Sequence, residues 1–185
     1  DSYSVRDVGI QSMKRFGEPL KTYSYRDENA VFIAKMLDKY ENSEDFVYTL
    51  EDLRGDGSQV LIVRIPYVAD WEGNVREGGP QIYGFRNGIR GTVFSFDYLC
   101  EGGVLCQCED DYYEFYRMEG DDFVSIEKLF VDENGYWMRR TPGQDLNTSD
   151  RLDYQVITRE QAQEIIASYP ETGMNWKPFA LYPLQ

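Results

Sequence analysis

The sequence contains no histidine among its 185 residues. Histidine is the commonest general base near neutral pH, so its absence removes the serine–histidine and cysteine–histidine pairs on which many hydrolases depend. Paired carboxylates can still hydrolyse glycosides, but 33 acidic residues will produce suitable pairs by chance. The sequence therefore predicts a protein that is not an enzyme, with a carboxylate-based, glycan-active enzyme as an alternative.

Basic residues are scarce. The 19 lysine and arginine residues face 33 aspartate and glutamate residues, which gives a formal net charge of −14. This charge repels phosphate backbones and anionic lipid headgroups, so neither a nucleic-acid partner nor an anionic membrane surface is expected. An acidic partner or inhibitor protein remains a second alternative function.

Long hydrophobic runs are also missing. None approaches the roughly 20 apolar residues that span a bilayer, and no basic-then-apolar leader opens the sequence. We therefore expect no transmembrane segment. If the protein is exported, its leader has been removed.

Cysteine occurs three times, as Cys100, Cys106 and Cys108. Structural zinc needs four cysteine or histidine ligands, so a zinc site built from this chain alone is not expected. A hairpin centred near Gly103 would place Cys100 opposite Cys106, where a disulfide is geometrically plausible in an oxidising compartment. Three buried free thiols are an equal alternative.

The length suits one compact domain, which we predict over residues 1–185, with 1–26 as a loosely structured N-terminal segment. Two main helices are expected. Residues 27–40 carry apolar side chains at helical spacing, and the capping box Thr158-Arg-Glu-Gln161 opens a second helix that ends at Pro170.

The remaining pattern predicts strands. Residues 46–50 lead into a turn, and 59–68 return from it with apolar side chains on both faces, as expected of a central strand. Glycine-marked tips follow at 86–88, 101–103, 118–121 and 132–135, which favours successive hairpins. The predicted fold class is α+β, with a central antiparallel β-meander sheet flanked by the two helices.

The turn between the first two strands has features of a calcium loop. Asp52, Asp56 and Gly57 occupy the places of ligands and of the turn glycine. Arg54 replaces an oxygen ligand, and Val60 stands at the ninth place. Asp52 and Asp56 are thus candidate metal ligands, but no cofactor is expected; instead, the Arg54 guanidinium is predicted to bridge the two carboxylates.

The segment Asp52-Leu-Arg-Gly-Asp-Gly-Ser-Gln-Val60-Leu-Ile-Val63 resembles a group of mostly uncharacterised secreted or lipid-anchored proteins of Gram-positive bacteria. In that group the turn has the form Asp-x-Asn-Gly-Asp-Gly-x-x-Glu followed by Leu-Ile-Val. The resemblance implies an extracytoplasmic location, secreted or anchored at the cell surface, and a non-enzymatic role.

Aromatic residues are abundant, with 15 tyrosines and 10 phenylalanines. The function predicted from this composition is an extracytoplasmic binding or interaction module for an unknown protein or glycan. The polar segment 141–153 is a candidate recognition loop. The candidate contact residues are Tyr112, Tyr113, Phe115, Tyr116, Tyr136 and Trp137. Core packing is the alternative for these side chains, because alternation along a strand turns about half of them inward.

Overall fold

The computed structural model describes residues 28–39, 45–69, 75–86, 89–140 and 154–183. Three predicted features fall outside these residues: the segment 1–26, the tip at 87–88 and the loop 141–153. The elements in chain order are α1 (Glu28–Lys39), β1 (Val47–Glu51), β2 (Val60–Arg64), β3 (Tyr67–Ala69), β4 (Val75–Glu77), β5 (Gln81–Arg86), β6 (Ile89–Ser95), β7 (Tyr98–Cys100), β8 (Val104–Glu109), β9 (Tyr112–Glu119), β10 (Asp122–Val131), β11 (Trp137–Arg140), β12 (Tyr154–Ile157), α2 (Arg159–Ala167) and β13 (Lys177–Pro178). Neither α1 nor α2 is long and apolar enough to cross a membrane.

The predicted α+β class and its antiparallel sheet character are confirmed. Six strands form one sheet in the order β12-β11-β10-β9-β8-β7, so each strand lies beside the next one in the chain. Five others form a second sheet in the order β13-β1-β2-β5-β6, and β3 pairs with β4.

Both predicted helices are present. In α1 the side chains of Ala30 and Ile33 are fully buried, as their helical spacing requires. At the start of α2 the Gln161 N–H donates to Thr158 Oγ1 over 3.2 Å, and the Thr158 N–H donates to Gln161 Oε1 over 2.9 Å. The capping box predicted from the sequence therefore forms in full.

The described residues group into two compact units. Unit 1 draws on Asp1–Leu50, Leu61–Gly91 and Asn175–Gln185, and unit 2 on Glu51–Val60 and Thr92–Met174. A single domain over 1–185 stays a prediction.

Unit 1 has an aromatic core centred on Phe179. The ring centroids of Phe46, Phe32 and Tyr48 lie 5.7, 6.1 and 6.3 Å from that of Phe179. Strand β2 contributes four buried residues in succession, Val60–Val63, and lies between β1 and β5. Its predicted central position is therefore confirmed, since only a strand covered on both faces can bury consecutive side chains.

In unit 2 three of the predicted glycine tips connect neighbouring strands of the six-stranded sheet. Positive φ angles at Gly102, Gly120 and Gly135 are the reason that glycine stands at these turns. The Gly103 turn also contacts the 51–60 segment, because a Cβ atom at Gly103 would lie 2.9 Å from the Leu53 carbonyl oxygen.

Helix α2 and the residues after it pack against one face of this sheet, which we call the inner face. Ala162 of α2 is fully buried, and the Tyr169 ring stacks on Phe115 with centroids 4.2 Å apart. Also buried is Glu127, held by two hydrogen bonds of 2.8 and 3.0 Å from the Arg139 guanidinium. Burial of the carboxylate is tolerated because this bidentate ion pair satisfies both of its oxygens.

The β7 edge of the sheet is covered by the chain that follows α2. The Thr172 N–H donates to the Leu99 carbonyl over 2.8 Å, and the Glu101 N–H donates to the Pro170 carbonyl over 3.0 Å. Cys100 and Glu171 form an isolated antiparallel bridge between these hydrogen bonds. Residues 170–172 thus occupy backbone groups that an uncovered edge would present.

Candidate binding groove

A groove of about 640 Å³ lies in unit 2 where β12 ends and α2 begins. Three of its lining side chains form a row across neighbouring strands, because Val131 of β10 pairs with Trp137 of β11, which pairs with Ile157 of β12. Paired residues on adjacent strands lie on the same face of a sheet. The row gives the groove an apolar lining.

A tight turn presents Tyr136 at the groove. Asp132 Oδ1 accepts hydrogen bonds from the N–H groups of Asn134 and Tyr136, each over 2.9 Å, and Gly135 takes a φ of +82°. These bonds, the one from Tyr136 first, hold the pKa of Asp132 below its usual range. The carboxylate is therefore ionised at neutral pH and fixes the backbone that carries Tyr136.

The opposite wall is the first turn of α2. The side chains of Thr158 and Gln161 are committed to the capping box, so neither is free to reorient toward a ligand without uncapping the helix. Arg159 lies between them, and its guanidinium makes no hydrogen bond within the described part of the chain. On the same terms, the exposed Asp111 carboxylate in the β8–β9 turn is a second available charged group.

Exposed apolar surface is concentrated at this groove. Tyr136 is 59% exposed and Val156 is 65% exposed. They are two of the four large hydrophobic residues that stay exposed among the described residues, and both line the groove. Single exposed apolar side chains are ordinary, but neighbouring ones beside a concave surface mark an interaction site.

Two of the six predicted contact residues, Tyr136 and Trp137, lie together in the groove. The other four are not among its lining residues. Phe115 is fully buried on the inner face, and Tyr113 packs beside it against the core cluster. A ligand would reach Phe115 only if the core opened, so core packing accounts for this ring.

Tyr112 and Tyr116 belong to a polar network around Glu114 on the opposite sheet face. The Tyr112 hydroxyl donates to Glu114 Oε2, and Lys128 Nζ lies 3.6 Å from the same oxygen. Burial alone would raise the pKa of Glu114, but hydrogen bonds from Tyr112, Ser125 and Tyr116 and the charge of Lys128 lower it. Burial and the Glu114 carboxylate raise the pKa of both tyrosines. The network is internally paired.

The Asp52–Ser58 turn is held by backbone donors. Asp52 accepts N–H bonds from Gly55, Asp56 and Gly57 over 2.7, 3.2 and 2.8 Å, using both carboxylate oxygens. No group of three or more metal-ligating side chains occurs among the residues that the structure describes.

The predicted role of Arg54 as a bridge between Asp52 and Asp56 is wrong. Its guanidinium donates to the Gly120 carbonyl over 2.7 Å, to Asp121 Oδ1 over 2.8 Å and to Ser58 Oγ over 3.1 Å. Arg54 therefore ties this turn to the β9–β10 turn, whose residues lie more than 60 positions away in the sequence.

The three cysteines lie in one cluster on the inner face and are free thiols. Cys100 pairs with Val104 and Cys106 pairs with Tyr98, so the predicted direct opposition of Cys100 and Cys106 is wrong by one pair, and the two are diagonal neighbours. Burial, first of all, raises the pKa of Cys100 to about 11 and that of Cys106 to about 12.

No protein-family model, no curated protein and no solved structure matches this chain. The resemblance of residues 52–63 to secreted and lipid-anchored proteins of Gram-positive bacteria stays a prediction.

Asp111, Val156 and Arg159 complete the groove but were not among the predicted contact residues. The acidic run Glu109-Asp110-Asp111 is visible in the sequence, whereas Gln155-Val156-Ile157 is a short segment with no motif of its own. Only the pairing of β11 with β12 brings Val156 and Ile157 beside Trp137. Local patterns cannot supply that pairing.

Proposed function

We propose that the protein is a non-catalytic binding module, located outside the cytoplasm, that engages a protein or glycan partner at the groove. The observation that carries this proposal is the meeting of Tyr136 and Val156, both more than half exposed, at one concave surface. A binding site needs apolar area that loses water on contact, together with a few polar groups that fix orientation. Asp111 and Arg159 are polar groups of this kind.

The strand beside the groove supports the same proposal. Among the described residues β12 has one neighbour, β11, and forms the end of the six-stranded sheet. An edge strand with an exposed valine is a template for another extended chain. A partner there gains backbone hydrogen bonds in addition to contacts with Tyr136.

The titration behaviour of the acids favours binding over carboxylate-based hydrolysis. A general acid for glycoside hydrolysis needs a raised pKa. Among the described aspartates and glutamates, those with a resolved shift are Asp56, Glu114, Asp132 and Glu160, and each has a lowered pKa.

No cofactor is part of the proposal. Calcium would have to compete with three backbone N–H donors for the oxygens of Asp52. The finer architecture belongs to the same proposal: one domain with a central antiparallel meander flanked by the helices predicted at 27–40 and 158–169.

A paired screen of extended octapeptides and neutral oligosaccharides, on arrays, tests the proposal. The wild type is compared with the double variant Tyr136→Ser, Val156→Thr and with Leu181→Ser, a matched control because Leu181 is 68% exposed in unit 1. We expect specific binders of the wild type to be lost at least tenfold with the double variant and kept with the control. A tenfold loss corresponds to about 1.4 kcal/mol, a modest share of what two buried contacts contribute.

Equal binding by all three proteins would overturn the groove as the site. Urea unfolding of each variant separates lost binding from lost folding. The same unfolding with calcium and with chelator checks the metal-free assignment, since a ligand bound only by the folded state raises the midpoint.

A further inference from the structure

We propose that the occupant of the groove is an extended peptide segment in which lysine or arginine alternates with apolar residues. This inference rests on the proposed function and names the class of partner. It follows from the charges around the groove, from its exposed tyrosine and from the two faces of the edge strand β12.

Acidic groups surround one end of the groove. Asp111 lines it, and Glu109 and Asp110 precede Asp111 in the exposed β8–β9 turn. These three side chains make no hydrogen bond or ion pair with other described residues. Asp132 begins the neighbouring turn that carries Tyr136. A cationic side chain would meet unscreened negative charge here, and the net charge of −14 would steer a basic segment toward the protein.

The exposed ring of Tyr136 suits the same cation. An ammonium or guanidinium group over an aromatic face gains about 0.5–1 kcal/mol at exposed sites. The unit already uses this contact internally, with Lys128 Nζ 5.2 Å from the centroid of Tyr112 and the Arg140 guanidinium 5.8 Å from that of Tyr154. Tyr136 has no printed cationic neighbour in the described residues, so its face is available to a partner's lysine or arginine.

The alternation of side chains follows from strand geometry. A segment that pairs with β12 turns successive side chains to opposite faces of the sheet. Those on the groove face meet the apolar row of Trp137 and Ile157 and, beyond it, Asp111, which suits the apolar stem and charged head of lysine. Those on the other face lie beside Val156, whose exposure favours an apolar neighbour.

Arg159 gives the inference a test by sign. It is the basic residue among the groove's lining residues, and it would repel a cationic segment. Removing Arg159 should therefore strengthen binding of a basic peptide, whereas removing Asp111 should weaken it. An anionic ligand requires the opposite signs, and a neutral glycan requires little change in either.

The experiment uses the full chain and four named probes: fluorescent octapeptides of alternating lysine and valine, glutamate and valine, or serine and valine, and a neutral hexaose. Binding is followed by fluorescence anisotropy and by ¹⁵N chemical-shift mapping. The protein variants are Asp111→Asn, Arg159→Gln and, as a matched acidic control, Glu119→Gln, which lies exposed at the other end of β9.

We expect the lysine–valine peptide to bind tightest and to shift the amide signals of Tyr136, Trp137 and Val156. Asp111→Asn should weaken it about threefold, Arg159→Gln should strengthen it about twofold, and Glu119→Gln should leave it unchanged, as single exposed charge pairs allow. Equal losses with Asp111→Asn and Glu119→Gln would reduce the binding to non-specific attraction and overturn the inference. Weaker binding with Arg159→Gln would also overturn it.

The outcomes separate the two proposals. If the serine–valine peptide or the hexaose shifts the groove signals and the lysine–valine peptide does not, the groove is a binding site but its partner is not basic. If no probe of any charge shifts those signals, while all variants remain folded by urea unfolding, both the basic partner and the groove assignment fail.

Discussion

The two edges of the six-stranded sheet differ in what covers them. At β7 the chain returns after α2, and residues 170–172 bond to the backbone of Leu99 and Glu101. At β12 the described residues supply no further strand, and Val156 is 65% exposed. Proteins that avoid edge-to-edge association close or charge their edges. An edge that is neither closed nor charged indicates a surface kept for a partner.

The closed side should be the more sensitive to substitution, and Gly103→Ala is expected to have the largest effect. Gly103 has a φ of +75°, and an added Cβ would lie 2.9 Å from the Leu53 carbonyl oxygen, which belongs to backbone and cannot swing away. We expect a loss of about 3 kcal/mol or more in the free energy of unfolding, measured with urea.

Gly102→Ala is the control for that comparison. Its φ is +73°, but an added Cβ would meet nothing within 4 Å. The strain of the left-handed backbone alone should cost about 1 kcal/mol. Equal losses at the two positions would show that the contact with Leu53 contributes nothing.

Opening the closed edge directly is expected to have the next largest effect. Thr172→Pro removes the N–H that donates to the Leu99 carbonyl over 2.8 Å. We expect about 2 kcal/mol of lost stability, because a buried acceptor loses its partner. The uncovered β7 edge should also increase self-association, measured by sedimentation.

Thr172→Ala keeps the N–H and should change stability by less than about 0.5 kcal/mol. If the alanine and proline variants behaved alike, the covering segment would not be what protects this edge.

The smallest of these effects separates an interior tyrosine from the tyrosine at the open edge. Tyr112→Phe removes a hydrogen bond to the ionised Glu114 and should cost about 1.5 kcal/mol at pH 7. Tyr136→Phe should cost almost nothing in stability, because the Tyr136 side chain is 59% exposed.

The pH dependence of the Tyr112→Phe effect has a definite sign. The folded-state pKa of Glu114 is lowered from 4.5, so its contribution to stability is present above that value and is lost as pH falls through the lower, folded value. The difference between wild type and Tyr112→Phe should therefore shrink as the solution is acidified below about pH 4.5. A difference that stayed constant down to pH 2 would mean that the bond does not depend on the ionised carboxylate.

The parts of the fold that could be predicted from the sequence are those with local causes. The capping box at Thr158, the apolar spacing of α1 and the glycine tips at Gly103, Gly120 and Gly135 each act over a few residues. The twice-apolar pattern of β2 likewise reports burial on both faces without reference to any other segment.

The groove could not be predicted in this way, because its lining row joins Val131, Trp137 and Ile157 through strand register. The partners of Arg54 were missed for the same reason, since Asp121 lies 67 positions away and its turn is adjacent only in the folded chain. Tyr136 and Trp137 were predicted as aromatic contacts, but the same reasoning also selected Phe115, because composition does not tell which face of a strand is buried.

The buried cysteine cluster has a consequence for the chemical lifetime of the protein. Thiolate, rather than thiol, attacks disulfides and oxidants, and with a pKa of about 12 only about one Cys106 side chain in 10⁵ is ionised at neutral pH. Cys100 is protected in the same way to a lesser degree. The protein can therefore stay in an oxidising medium as a monothiol-bearing chain that neither scrambles nor cross-links, with its reduced sulfurs preserved by slow kinetics instead of by a reductant.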